Sequence, residues 1–133
     1  MAYNKWGVSY NSIKFFEKAL SGHSMVQSFE RKGDINFSII FNNSNEIDVL
    51  LVDEYCLGLA AIYRALDEFD GIEYIVTCAN WNGYTREAKE FGKDNDLGIF
   101  NLGEFMGALY SKNPKEYVKK DSDGNPVYAY KVA

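Results

Sequence analysis

The sequence predicts an α/β domain: a central mixed sheet, a three-strand meander followed by parallel crossovers, flanked by helices and closed by a C-terminal β-hairpin. Three observations carry this reading. Two apolar runs, Ile47 to Val52 and Ile72 to Thr77, are joined by a segment of helix length, and such runs form strands buried on both faces. Only the turn Asn42-Asn43-Ser44-Asn45 and Glu46 separate the first of them from an alternating run at Ile35 to Phe41. A connection that short permits an antiparallel hairpin and forbids a helical crossover. Finally, a second helix leads to a short run at Gly98 to Asn101 and a last helix from Leu102 to Tyr110. The stretch from Glu46 to Tyr110 is therefore the organising core.

The elements follow in order. Ser12 to Leu20 places Ile13, Phe16 and Leu20 on one helix face, with Phe15 and Ala19 beside them, and Gly22 is expected as a left-handed cap. Glu17 lies off that stripe. Met25 to Glu30 forms a first strand, Lys32-Gly33-Asp34 a turn, and Ile35 to Phe41 a strand with Ile35, Phe37 and Ile39 on one side. Leu57 to Phe69 is a helix with a broad apolar face, ended by Asp70-Gly71. The strand after it is a parallel neighbour reached by a right-handed crossover. Thr85 is the expected N-cap of a helix running to about Phe91-Gly92. Glu116 to Asp121 and Val127 to Val132 flank a turn and read as a two-stranded ribbon. Asp121, Asp123 and Asn125 imitate the start of a calcium loop, but the glycine is misplaced and the distal bidentate Glu is missing.

The chain's 133 residues suit a single domain, with 1–113 as its core and 114–133 as the hairpin extension. The net charge of −5 argues against broad duplex binding, which calls for a basic face. It suits a basic partner or a metal held by carboxylates. Aromatics reach 16%, more than a small core absorbs easily, so part of this surplus is expected on an exposed face. Cys56 and Cys78 lack metal-ligand spacing and read as reduced thiols of an intracellular protein. The polar N-terminus lacks a signal-peptide core, and no apolar run approaches the ~18 residues of a membrane span. A cytoplasmic location without membrane contact is expected.

Two places attract functional attention. Asn80, Trp81, Asn82 and Tyr84 form a loop after a strand's carboxyl end, where open α/β sheets bind ligands. Trp81 and Tyr84 are the expected exposed aromatics, suited to stacking on a base or anchoring a protein contact. His23 is the only histidine, and a structural role beside a helix end is expected for it. No Gly-rich phosphate loop follows a strand, and one His without a Cys pair argues against zinc.

The second place is marked by a resemblance. Ile75-Val-Thr-Cys-Ala-Asn, Tyr84-Thr-Arg-Glu-Ala-Lys-Glu-Phe and Leu97-Gly-Ile-Phe-Asn-Leu-Gly-Glu-Phe look like the strand, Phe-Thr-x-x-Ala helix, short strand and final helix of restriction-endonuclease-like PD-(D/E)XK nucleases. The nearest resemblance is to the type IV, methyl-directed enzymes, with Tyr84 standing where their pattern has Phe. It covers about residues 12 to 110. It implies a role for Asp34 as the first acid, Glu54 as the second and Glu17 as the first-helix acid. Asp34 and Glu54 would hold Mg²⁺ or Mn²⁺ at the scissile phosphate, and a lysine two residues after the second acid would serve the attacking water.

Here that residue is Cys56, which has no permanent charge, and moving the register to Asp53 brings only Tyr55. Lys32 and Lys89 are the candidates for a relocated lysine. Three readings follow. The first is a noncatalytic binding or regulatory module in phage–host defence or counter-defence, with a protein or nucleic-acid partner. The second is a metal-dependent nuclease using Glu17, Asp34 and Glu54. The third is a structural subunit that forms a homodimer through its C-terminal hairpin.

Overall fold

The computed structural model describes residues 4–132. Its α/β architecture is the one the apolar runs imply. Helix α1 (Tyr10–Ser21) precedes three strands, β1 (Val26–Arg31), β2 (Asn36–Phe41) and β3 (Glu46–Val52). A two-residue strand β4 (Cys56–Leu57) leads into α2 (Leu59–Glu68) and β5 (Tyr74–Thr77). The two-residue β6 (Gly83–Tyr84), α3 (Arg86–Asp94), β7 (Gly98–Asn101) and α4 (Leu102–Ala108) follow.

The main sheet has the order β1-β2-β3-β5-β7. Its first three strands are antiparallel, and β5 and β7 run parallel to β3. The switch from antiparallel to parallel falls where the connection lengthens from a tight turn to a helix. In β2, Phe37 and Ile39 are fully buried on one side; on the other, Asn36 and Ile40 are half-buried and Ser38 is buried with its hydroxyl donating to Glu46. Strands β5 and β7 are buried throughout.

Aromatic contacts fix the layers. Phe16 of α1 meets Phe37 edge-on with ring centroids 5.0 Å apart and lies 6.1 Å from Phe105 of α4, so α1 and α4 share one face. Tyr63 of α2 meets Phe91 of α3 at 5.3 Å, which pairs the two crossover helices. Right-handed crossovers β3–α2–β5 and β5–α3–β7, stepping the same way across the sheet, place both on the opposite face.

Three local details differ from the sequence reading. Gly22 caps α1 in the ordinary right-handed region (φ −90°), because its amide bonds back to Lys18 and Leu20 without a reversal. Helix α2 starts later than Leu57 because Cys56 and Leu57 pair with Gly83 and Tyr84 instead. Helix α3 continues through Gly92: a Cβ there would stand 2.5 Å from the Leu97 carbonyl oxygen, so this glycine permits close approach of the next strand.

After α4 the chain makes a 3₁₀ turn at Pro114–Glu116. The hairpin beyond it is minimal, a single bridge between Lys120 and Pro126. Asp121 accepts the Asp123 and Asn125 amides at 2.9 Å, which spends its carboxylate on the turn. The second arm lies along β6: Tyr84 N donates to Ala129 O at 3.0 Å and Lys131 N to Tyr84 O at 2.9 Å.

Among the described residues, no helix is long and apolar enough to cross a membrane. Cys56 is half-buried, Cys78 is buried, and both thiols are free.

Candidate functional site

Parallel strands β3, β5 and β7 all end at one side of the sheet, and the segments leaving them are Asp53, Cys78-Ala79-Asn80-Trp81 and Leu102. These meet the first turns of α1 around a cleft of about 520 Å³, whose α1 wall is Asn11, Ser12, Phe15 and Phe16. A crevice outside the carboxyl ends of parallel strands is the usual ligand position of an open α/β sheet.

Two aromatic side chains stand free at its rim. Trp81 is 71% exposed and Phe15 61%, values that neither core packing nor chain connectivity explains. Phe15 lies just off the Ile13–Phe16–Leu20 stripe that buries α1, so its ring is turned out by helical geometry.

The loop carrying Trp81 is held from below. The buried Asn82 amide donates to Asp53 Oδ1 at 3.0 Å and Thr77 Oγ1 at 3.1 Å, and also to the Cys78 carbonyl. The Asn101 amide donates to the Asn82 carbonyl at 3.1 Å and reaches the Asn80 carbonyl at 3.4 Å. Thr77 Oγ1 donates to Glu54 O at 2.6 Å and accepts from Glu54 N at 2.9 Å, tying the end of β3 to the end of β5. Ala79 holds φ at +100°, a conformation that costs a non-glycine residue energy and persists only where its surroundings impose it.

Among the described residues, Asp53 is the one charged residue lining the cleft. Behind it, burial pushes the Cys78 thiol up to about 11, with the Asp53 carboxylate adding to the effect against a lowering contact from Ser12. A thiol so raised stays protonated at neutral pH and is a poor nucleophile.

The sequence-predicted residues divide sharply. Asn80 lines the cleft and Trp81 is exposed, while Asn82, 2% exposed, works inside as the loop's anchor. Tyr84 is fully buried, contrary to the expectation of an exposed aromatic, because the C-terminal arm covers it. Its hydroxyl donates to Glu104 Oε2 at 2.7 Å and accepts from Ala129 N at 3.1 Å. Glu104 is itself buried and completes a capping box with Asn101.

The acids of the nuclease pattern are engaged separately. Asp34 lies before β2 and Glu54 after β3, at the same end of that hairpin. Asp34 is bound by Arg31 at 2.6 Å, and Glu17 by Lys14 at 3.1 Å. Among the described residues, no three His, Cys, Asp or Glu side chains are grouped to hold a metal ion, so Glu17, Asp34 and Glu54 do not form a metal-binding triad. Neither candidate lysine is free. Lys32 is ion-paired to Asp48, and the buried Lys89 donates to Ile99 O at 2.6 Å. Cys56, in the acid-x-Lys position, sits in β4 with its backbone paired to Gly83.

His23 serves the fold, as expected. Its Nδ1 accepts from Met25 N at 3.1 Å, which leaves Nε2 to donate to Met106 O at 2.9 Å.

Sequence reasoning did not single out Phe15 or Asp53 for this cleft. An aromatic off the apolar stripe of α1 is the signal for the first, and an acid immediately after a parallel strand is the signal for the second. Comparison with protein-family models, curated proteins and solved structures finds no match to this chain.

Proposed function

We propose that this protein is a noncatalytic binding module built on a restriction-endonuclease-like core. The observation that carries the reading is the cleft beyond β3, β5 and β7, where Trp81 and Phe15 stand exposed beside a single carboxylate on a loop held by buried amides. Exposed, preorganised aromatics lose little on ordering and gain much on contact, which is the profile of a recognition site. The order helix, three antiparallel strands, helix, parallel strand supports the family reading. The engaged lysines support the absence of nuclease chemistry, since a positive charge at the attacking water has no available source at Cys56, Lys32 or Lys89.

A metal-dependent nuclease is the second reading, favoured by Asp34 and Glu54 lying at one end of the β2–β3 hairpin. Supercoiled plasmid incubated with the purified protein and Mn²⁺ separates the two. The binding reading expects the plasmid to stay supercoiled. Nicking or linearisation that disappears in Asp34→Ala would overturn it.

A further inference from the structure

The binding reading leaves the occupant of the cleft open, and the chemistry of the lining narrows it. The walls combine two exposed aromatic faces, Phe15 and Trp81, with amide and hydroxyl groups of Asn11, Ser12 and Asn80. Among the described residues, one charge lines the space, that of Asp53, and no cationic side chain does. The first turn of α1 also opens here, but its partial charge of about half a unit offsets only part of the carboxylate. Asp53 is held in place by the Asn82 amide on Oδ1 and is exposed, so its carboxylate is accessible to a donor on a ligand.

Such a site disfavours phosphate and carboxylate groups. The whole chain carries −5, which compounds the penalty for a polyanion. It favours a planar cation, which stacks on the aromatic faces and donates to the carboxylate together. Guanidinium meets both conditions: it is flat, permanently charged and presents its donors as a fork, whereas an ammonium is a compact, strongly hydrated point.

We infer that the cleft binds an arginine side chain presented by a basic segment of a protein partner. This rests on the binding-module reading and names its ligand. The cleft's volume of about 520 Å³ accommodates a side chain with flanking backbone.

The test uses the intact protein with three probes: a short arginine-rich peptide, a lysine-rich peptide of the same length and charge, and a single-stranded oligonucleotide. Calorimetry measures binding, and the exposed Trp81 reports occupancy of the cleft by fluorescence against the buried Trp6. The expected result is saturable binding of the arginine peptide that quenches Trp81, with the lysine peptide and the oligonucleotide at least about tenfold weaker. Asp53→Asn, which keeps an oxygen for Asn82 to donate to, should weaken the arginine peptide about tenfold, and Trp81→Ala should weaken it comparably.

If Trp81 responds to the oligonucleotide and not to the arginine peptide, the inference fails while the binding-module reading stands. Equal binding of the two peptides, insensitivity to Asp53→Asn, or no saturable arginine-peptide binding at millimolar concentration also overturns it. Cleavage of plasmid in the separate metal assay, by contrast, would fell the underlying reading.

Discussion

The rim of the cleft and the cluster around Tyr84 share one loop, in which Trp81 closely precedes Tyr84, and are opposite in character. At the rim, Trp81 and Phe15 expose their rings, and the Asp53 carboxylate is exposed beside them. In the cluster, Tyr84, Lys89 and Glu104 are all at most 5% exposed, and each polar atom has a partner within the protein. Lys89 also lies over the ring of Phe100 at 4.2 Å and that of Tyr84 at 5.1 Å. Both regions contain groups associated with function, but one has spent them internally. Satisfied burial marks the cluster as structure, whereas the rim keeps the unspent groups that the proposed binding role requires.

The largest expected effect breaks the sealed side. A Cβ on Gly83 would stand 1.9 Å from the Ala129 carbonyl oxygen, so Gly83→Ala must displace the C-terminal arm that covers Tyr84. A loss of about 3 kcal/mol is expected, read from chemical denaturation.

The next effect concerns Lys89, whose burial lowers its pKa from 10.5 to about 8, partly opposed by Glu104. Below pH 8 the folded protein holds this buried charge at a cost of about 3 kcal/mol relative to water. Between about 8 and 10.5 the unfolded chain binds a proton that the folded chain does not, so this contribution makes stability rise with pH. The raised pKa values of Cys78, Tyr74 and Tyr84, each driven first by burial, act in the opposite sense above pH 9. The difference between the wild type and Lys89→Met isolates the lysine. Wild-type stability should gain on the variant as pH rises from 8 to 10, and parallel profiles in urea melts would show that Lys89 stays charged.

The smallest effect sharpens the other side. Trp81→Ala should change stability by no more than about 0.5 kcal/mol, because the ring supports nothing. A thermal melt shifted by many degrees would mean that Trp81 is packing and not a recognition group.

How much of this the sequence shows depends on distance along the chain. The strands of the main sheet follow from local alternation and apolar runs, and the hairpin between β2 and β3 follows from four turn residues. The helix caps at Thr85 and Asn101 are equally local, although only the first is obvious from its neighbours. Tyr84 defeats local reading because the atoms that bury it belong to Ala129 and Tyr130, more than forty positions away. The same holds for the cleft. Asp53 and Trp81 are each visible as residues after strands, but only folding places Phe15 of the first helix across from them. The acidic pattern is the converse case. Its residues are identified only by position along the chain, yet nearby Arg31 and Lys14 take up two of the three carboxylates.

The register shift in β1 between Val26 and Ser28 bears on how readily the sheet can be extended by a strand from outside. A sheet of five strands has two rims on which a foreign strand can polymerise. On one, the shift kinks β1, and Glu30 and Arg31 place charges along it, so an incoming strand finds a broken ladder. The other, β7, is shielded by Tyr117 against Phe100 and by Lys89 on the Ile99 carbonyl. Each end of the ladder is thus closed by a different device, and a chain with so many β-forming aromatics gains protection against stacking into fibres.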